Sequence, residues 1–268
     1  MTGNAALYGA PVHEDDLALA QRLADAADEI ALRDFTGQPL VFTPKPDGSP
    51  VTTTDPEVEA TLRAIVADER PGDAFLGEEV GASGSGRRRW IVDGIDGTIE
   101  FVAGRRGWST EIALEVDGEV VVGVCTSPAL PLRTWAHRGG GAAGRARGEP
   151  AARRVSATAS LAGARVSTIP PVDLVSGEAR VLVDRLLDGA EVVAPVRHCA
   201  VLVAEGAVDL GLQLGGGPWD FAALAVIVEE AGGRFSDLDG RVRIDGGGPR
   251  LFSNGVLHDV ALERLAGS

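Results

Sequence analysis

Trp90-Ile91-Val92-Asp93-Gly94-Ile95-Asp96-Gly97-Thr98, with Gly77-Glu78-Glu79 upstream, is the stretch on which the fold of this chain turns. An apolar run ends on one aspartate, a second follows three residues on, and a glycine and a threonine close the segment. The pattern predicts a buried strand over 89–92 that points its C-terminal end at Asp93. A turn then brings Asp93 and Asp96 to one side, and Gly97 and Thr98 open a short helix ending near Gly104. Far downstream stands a second acidic segment, Trp219-Asp220-Phe221-Ala222-Ala223, running into Glu229-Glu230-Ala231-Gly232-Gly233. Phe221, Leu224, Ala225 and Val228 predict one face of a helix over 220–231, closed by the two glycines in a left-handed cap. Carboxylates gathered this way bind hard cations through oxygen, and Mg²⁺ is the usual occupant where a substrate carries phosphate.

Outward from these segments, 51–54 predicts a short strand feeding Asp55-Pro56, a cap followed by proline at the first helical position. That helix runs to about residue 69 and stops before Pro71-Gly72. Leu17, Ala20, Leu23, Ala24, Ala27, Ile30 and Ala31 recur at helical spacing behind Asp15-Asp16. Strands over 111–116 and 119–125 are joined by Asp117-Gly118, a strong hairpin signal. Further on, 181–187 and 199–206 predict helices, and 192–193 and 208–212 strands. Residues 1–12 carry no periodic pattern and read as a loose tail. The glycine-rich stretch 139–148 marks the expected boundary between two halves. Residues 13–147 form an N-terminal α+β half with the metal and phosphate site, and 148–268 a C-terminal α/β half that supplies Asp220 and substrate recognition.

Composition sets the limits. With 268 residues, 44% hydrophobic and 4% aromatic, and rich in Gly, Ala and Val, the chain suits closely packed α/β layers. Its net charge of −14 excludes nucleic acid as a partner, because phosphate backbones require a basic footprint. A small phosphorylated substrate remains open, since bound divalent cations invert the local field. Cys125 and Cys199 lack paired spacing and read as reduced core thiols. No apolar run reaches membrane-spanning length and no signal-peptide pattern begins the chain, so a cytoplasmic protein without membrane contact is expected.

Glu78, the Asp93-x-Ile95-Asp96-Gly97-Thr98 run, and Trp219-Asp220 with Glu230-Ala231-Gly232-Gly233 resemble the inositol monophosphatase family. Lys45 and Val51-Thr52-x-x-Asp55 extend the likeness over nearly the whole chain. Glu69-Arg70-Pro71-Gly72-Asp73, the segment 203–209 and Asn254-Gly255-x-Leu257-His258-Asp259 are similar to its actinobacterial histidinol-phosphatase-like branch. The resemblance implies a layered α-β-α-β-α fold, Mg²⁺-dependent hydrolysis of phosphomonoesters and a homodimer. It implies two or three ions per site, Mn²⁺ substituting, held by Glu78, Asp93, Asp96, Asp220 and the Ile95 carbonyl. Metals about 3.5–4 Å apart activate water and stabilise the leaving oxygen. Asp55, Thr98 and Glu78 are the expected catalytic residues, Asp55 and Thr98 orienting the water and taking its proton. Backbone N–H groups at Gly97 and Thr98 would cradle the phosphate.

The chain departs from the family at four places: Gly94 stands where proline is usual, Glu100 where asparagine is usual, Ala194-Pro195-Val196-Arg197-His198 where a Gly-Ser or Gly-Asp pattern is usual, and Gln213 where an acid is usual. Glu100, Arg197, Gln213 and Asp220 are therefore the expected substrate residues. A negative charge at Glu100 predicts preference for a substrate bearing an ammonium. Histidinol phosphate or a similar amine-bearing alcohol phosphate fits, with an amino sugar, aminocyclitol or nucleoside phosphate as the competitor. A metal-binding regulator without catalytic activity is the reading from another class.

Singly, Asp55 and Asp220 would serve as helix caps and Asp93 as turn chemistry. Glu79, Glu229 and Glu230 read as structural or solvated, His198 as a packed or surface residue, and 87–89 and 105–106 as solvated basic faces. Asp237-Leu238-Asp239-Gly240 resembles the nucleophile loop of haloacid-dehalogenase-type phosphatases, yet it follows Gly232-Gly233 and reads as a surface turn.

Overall fold

A computed structural model of the protein describes residues 13–36, 39–46, 48–146 and 148–267. The expected tail over 1–12 lies outside them. In chain order, α1 (Glu14–Asp34) is followed by the short pair β1 (Thr43–Pro44) and β2 (Pro50–Val51), and then α2 (Thr54–Glu69). Next come β3 (Ala74–Gly77), β4 (Gly81–Ser83), β5 (Arg88–Asp96), α3 (Thr98–Val102), β6 (Ser109–Val116), β7 (Glu119–Ser127), β8 (Leu132–His137), β9 (Gly141–Arg145) and β10 (Ala151–Ala152). The remainder holds β11 (Arg165–Ile169), α4 (Gly177–Leu187), β12 (Glu191–Val192), α5 (Cys199–Ala204), β13 (Leu210–Gln213), α6 (Pro218–Glu230), β14 (Arg234–Asp237), β15 (Arg250–Ser253) and α7 (His258–Ala266).

Two sheets organise these elements. The first has the order β10-β9-β8-β7-β6-β5-β3-β4 and the second β12-β11-β13-β15-β14. Period-2 alternation decides what each strand face meets. On β5, Trp90 and Val92 pack with Leu19, Leu23, Val58 and Leu62 of α1 and α2, while Ile91 packs with Ala222 and Val226 of α6. Behind α5 and α6 lies the second sheet, whose far face packs Val166, Leu210 and Leu251 against Val183 of α4 and Leu265 of α7. The layers therefore run α-β-α-β-α, as expected. Burying one such Leu, Ile or Val contributes roughly 1.5–3 kcal/mol.

α6 differs from its one-faced expectation. Every residue from Phe221 to Val228 is buried, because the helix lies between two sheets and has no wet side. Its approach to the first sheet is close: a Cβ added at Gly123 on β7 would stand 2.4 Å from the Ala223 carbonyl oxygen.

Within the glycine-rich stretch taken as the boundary, β9 pairs with β8 and with β10. The chain leaves the first sheet only after Ala152. The 237–240 segment is a turn, with Asp237 Oδ1 accepting from the N–H groups of Asp239 and Arg241 (both 2.9 Å). Among the described residues, no helix is long and apolar enough to cross a membrane.

Candidate active site

The site begins with a strand pairing. β3 and β5 run parallel, and their pairing ends with Gly77 opposite Val92, so the next residues, Glu78 and Asp93, meet at the C-terminal edge of that pair. Glu59 of α2 fixes that edge. It is fully buried and accepts the N–H groups of Glu78 (3.1 Å), Glu79 (2.9 Å), Val80 (2.9 Å) and Gly94 (3.4 Å). Gly94 stands where proline is usual, and space there is tight: a Cβ would sit 2.9 Å from the Asp55 carbonyl oxygen.

A bulge between Asp93 and Asp96 breaks the β5–β6 register and turns both carboxylates to one side. Asp93 Oδ1 accepts the Ile95 N–H at 2.9 Å, and Asp96 accepts the Ser109 hydroxyl at 3.3 Å. Asp220 arrives from the first turn of α6, where its Oδ2 accepts the Gly217 N–H at 2.6 Å. Asp93, Asp96 and Asp220 each place a carboxylate oxygen within 4.8 Å of the others. A cleft of about 210 Å³ takes in all five expected ligand residues, including Glu78 and Ile95, together with Lys45, Gly97 and Thr98.

Charge crowding is the electrostatic signature of this cleft. Burial, then the charges of Glu78, Asp96 and Asp220, hold Asp93 well above the usual carboxylate range. Asp96 is raised to about 6 by burial and Glu78, and Asp220 to about 7 by burial and Asp96. Burial also raises Glu78, against the Lys45 ammonium, which lies 2.8 Å from Glu78 Oε1 and also pairs with Glu79. One lysine cannot offset four carboxylates. All-oxygen donors whose mutual repulsion only a cation relieves suit a hard divalent metal.

Asp55 lies beside the cluster at the start of α2. Its Oδ2 accepts from both the Thr52 N–H (3.0 Å) and the Thr52 hydroxyl (2.5 Å), leaving Oδ1 at 3.1 Å from the Thr98 hydroxyl. The same hydroxyl lies 3.0 Å from the Ile95 carbonyl oxygen. Gly97 is left-handed, with φ 78°, and opens α3 as expected.

The expected substrate residues separate. A second cleft, of about 340 Å³, shares Asp96 and Gly97 with the first and is bounded by Glu100, Arg105, Arg106, Val196, Arg197 and His198. Glu100 is not the unopposed charge expected of it, because Arg105 grips both its oxygens at 2.6 and 2.7 Å. Arg197 lines the cleft but pairs with Glu205. Gln213 is buried behind the wall, its Oε1 accepting from His198 Nε2 at 2.9 Å. Asp220 stays on the metal side.

His198 is packed, as expected. Its Nδ1 accepts the Ala200 N–H at 3.1 Å, so the ring proton sits on Nε2, and burial pulls its pKa down to about 4.

Glu59 and Glu111 escaped the sequence analysis. Glu111 is fully buried on β6, close to Asp96 and His198, and its Oε2 has no partner. Burial, then Asp96 and Asp220, push it well above the usual carboxylate range. Both residues had a signal: an acid on the apolar face of a helix with Leu62 and Val66, and an acid directly before the apolar strand run Ile112-Ala113-Leu114.

A fold of five alternating layers with an acid cluster at the seam of its two sheets defines a class of metal-dependent phosphatases. The family model described as inositol monophosphatase family matches residues 13–266. A histidinol-phosphatase of Mycobacterium tuberculosis is 44% identical over 261 residues, 94% of this chain and 98% of its own. A Streptomyces griseus protein named glucose-1-phosphate thymidylyltransferase is 45% identical over 245 residues, 87% of this chain and 90% of its own. The solved inositol monophosphatase of Zymomonas mobilis superposes with a TM-score of 0.82 at 32% identity, covering 96% of this chain and all of that one. The chain belongs to the inositol monophosphatase family. It is an enzyme of the phosphoric monoester hydrolase class.

Proposed function

We propose that the protein hydrolyses a small phosphomonoester with Mg²⁺, two or three ions per site and Mn²⁺ able to substitute, and that histidinol phosphate or a similar amine-bearing alcohol phosphate is its substrate. The observation that carries the reaction is the Thr52–Asp55–Thr98 chain set against the acid cluster. Glu78, Asp93, Asp96, Asp220 and the Ile95 carbonyl would hold the metal. Bound there, it would neutralise phosphoryl oxygens and make water nucleophilic near neutral pH.

The chain's own residues supply direction. With the Thr98 proton directed at Asp55 Oδ1, the hydroxyl oxygen keeps lone pairs that accept from a water and fix its line of attack. Asp55, raised by burial against its Thr52 hydrogen bonds, is poised to take the proton released as the water adds to phosphorus. The P–O bond to the alcohol breaks as the new one forms. The neighbouring cleft receives that alcohol.

For the substrate, support comes from relatives named histidinol-phosphatase in Mycobacterium tuberculosis, Streptomyces coelicolor and Chlorobaculum parvum, 44, 39 and 38% identical. Glu100 remains available to an ammonium, because its pair with Arg105 is exposed on both sides and worth at most about 1 kcal/mol. The amino sugar, aminocyclitol and nucleoside phosphates remain the alternatives. A homodimer in the cytoplasm completes the proposal.

Phosphate release from a panel of phosphomonoesters, with and without Mg²⁺, is the test. Metal-dependent release, fastest from histidinol phosphate, is expected, and equal turnover in EDTA would end the proposal. The name of the Streptomyces griseus relative denotes a nucleotidyl transfer, which the same panel separates when a nucleoside triphosphate and glucose 1-phosphate are added. Transfer liberates pyrophosphate where hydrolysis liberates phosphate.

A further inference from the structure

Beyond the active site, the molecule has a basic cleft that hydrolysis does not use. It measures about 550 Å³ and is formed by Arg153, Arg154, Arg197 and Glu205, with Leu132 and Ala152 on its apolar side. Three guanidinium groups face one carboxylate in a protein whose formal charge is −14. Glu205 is shared between two of them: Oε2 pairs with Arg197, and Oε1 lies 3.3 Å from Arg153 Nε. Arg154 is exposed and its side chain has no hydrogen bond or ion pair among the described residues.

The arginines are seated rather than loose. A Cβ at Gly144 on β9 would meet Arg153 Nε at 2.8 Å, so the absent side chain is what lets this guanidinium lie on the strand. Arg153 and Arg197 side chains are only 18% and 16% exposed. Arg153 Nε has the Glu205 carboxylate at 3.3 Å as its partner, and Arg197 Nε is buried without a hydrogen-bond acceptor among the described residues. Two guanidinium groups share one carboxylate and a third beside them is unpaired among the described residues, and a multivalent oxyanion is the ligand that would balance this excess of donors.

We propose that this cleft binds a phosphate dianion, either inorganic phosphate or the phosphoryl group of a metabolite, at a site separate from the catalytic one. Arg153 and Arg197, which share the single Glu205 carboxylate, anchor it through their guanidinium groups, and Arg154 closes over it. Arg197 also lines the alcohol cleft, so an anion drawn into the basic cleft competes with Glu205 for the residue that walls the substrate site.

Metal-free full-length protein at pH 8 makes the site observable alone, because the crowded carboxylates of the catalytic cleft then repel phosphate. Melting is followed in EDTA while inorganic phosphate or glycerol 3-phosphate is titrated against chloride at equal ionic strength. Both anions are expected to raise the midpoint above the chloride baseline, and the tighter of the two identifies the source. Arg154→Glu, a change of an exposed side chain, should weaken the apparent affinity about tenfold or more. Arg153→Ala should do the same, and Arg63→Glu on α2, with the same charge change, should respond as wild type. No stabilisation beyond chloride, or an undiminished response in Arg154→Glu, overturns the site. Should Arg153→Ala fail to fold, Arg154→Glu alone decides.

Discussion

At Glu59, one carboxylate holds four backbone amides and thereby fixes the distance between Glu78 and Asp93. Glu59→Gln keeps the shape but turns one acceptor oxygen into a donor facing amides. The Mg²⁺ concentration for half-maximal activity should rise about tenfold or more, as for other groups that orient metal ligands, with kcat at saturating metal changed less. A Mg²⁺ titration of turnover checks this, and an unchanged midpoint refutes it. Thr98→Ala should split the other way, leaving metal affinity near wild type and lowering kcat by roughly 10²–10⁴-fold, since the hydroxyl directs water and is a minor source of affinity. Asp93→Asn and Asp220→Asn should lose both. Glu100→Gln should lower the preference for an amine-bearing phosphate only a few-fold, because Arg105 already shares the charge. Equal rates on histidinol phosphate and a neutral alcohol phosphate in the wild type would remove Glu100 from recognition.

Glu78, Asp93, Asp96 and Asp220 were legible because each follows an apolar run or opens a helix. Glu59 and Glu111 were not, because an acid within an apolar face contradicts the periodicity that identifies the element. Gln213 is a different failure. Its order along the chain suggested a substrate contact, and only the packing of His198 across it shows otherwise.

Elements read from periodicity differ in how much their neighbours decide. α1 and α2 each have one wet face; apolar spacing gave α1 away, and the Asp55-Pro56 start and Pro71-Gly72 stop gave α2 away. α6 showed a face in the sequence but has none in the fold, since the positions between its apparent stripe, Ala222, Ala223 and Val226, meet the first sheet. β9 was invisible. Gly-Ala-Ala-Gly-Arg has little strand propensity, and ladders on both sides impose its conformation. The contact of Gly123 with α6 tests how tightly these layers are set. Gly123→Ala places a methyl 2.4 Å from the Ala223 carbonyl oxygen and should destabilise the protein by about 1–3 kcal/mol. Thermal melting measures it, and an unshifted midpoint would mean that the helix can lift away at no cost.

On the scale of the whole molecule, five layers could not be read from composition, which supports only closely packed α/β structure. Their order followed from the family likeness of the motifs. The linkage between protons, metal and stability does follow from the assembled site. Asp96 at about 6, and Asp220 and Glu59 at about 7, are raised above their unfolded values. Without metal, their contribution favours the folded state at low pH and is lost as pH rises through about 6 to 7. Metal binding requires the deprotonated carboxylates, so Mg²⁺ should add little to the melting temperature at pH 5 and much more at pH 8. His198 and His258 act in the opposite sense, both lowered to about 4 by burial, so their stabilisation is present above about 6.5 and fades between there and 4. Taking the difference between Mg²⁺ and EDTA melts at each pH cancels that histidine contribution. An equal difference at pH 5 and pH 8 would show that protons and metal do not compete.

Asp220 reaches the acid cluster only because α6 is wedged between two sheets formed by separate parts of the chain. During synthesis, β3 and β5 emerge and can pair long before that helix exists. A nascent or half-folded molecule would therefore carry an incomplete ligand set. It should neither hoard cellular Mg²⁺ nor cleave phosphate esters near the ribosome. Hydrolytic power would switch on with the last large packing event, which makes turnover a direct readout of finished folding.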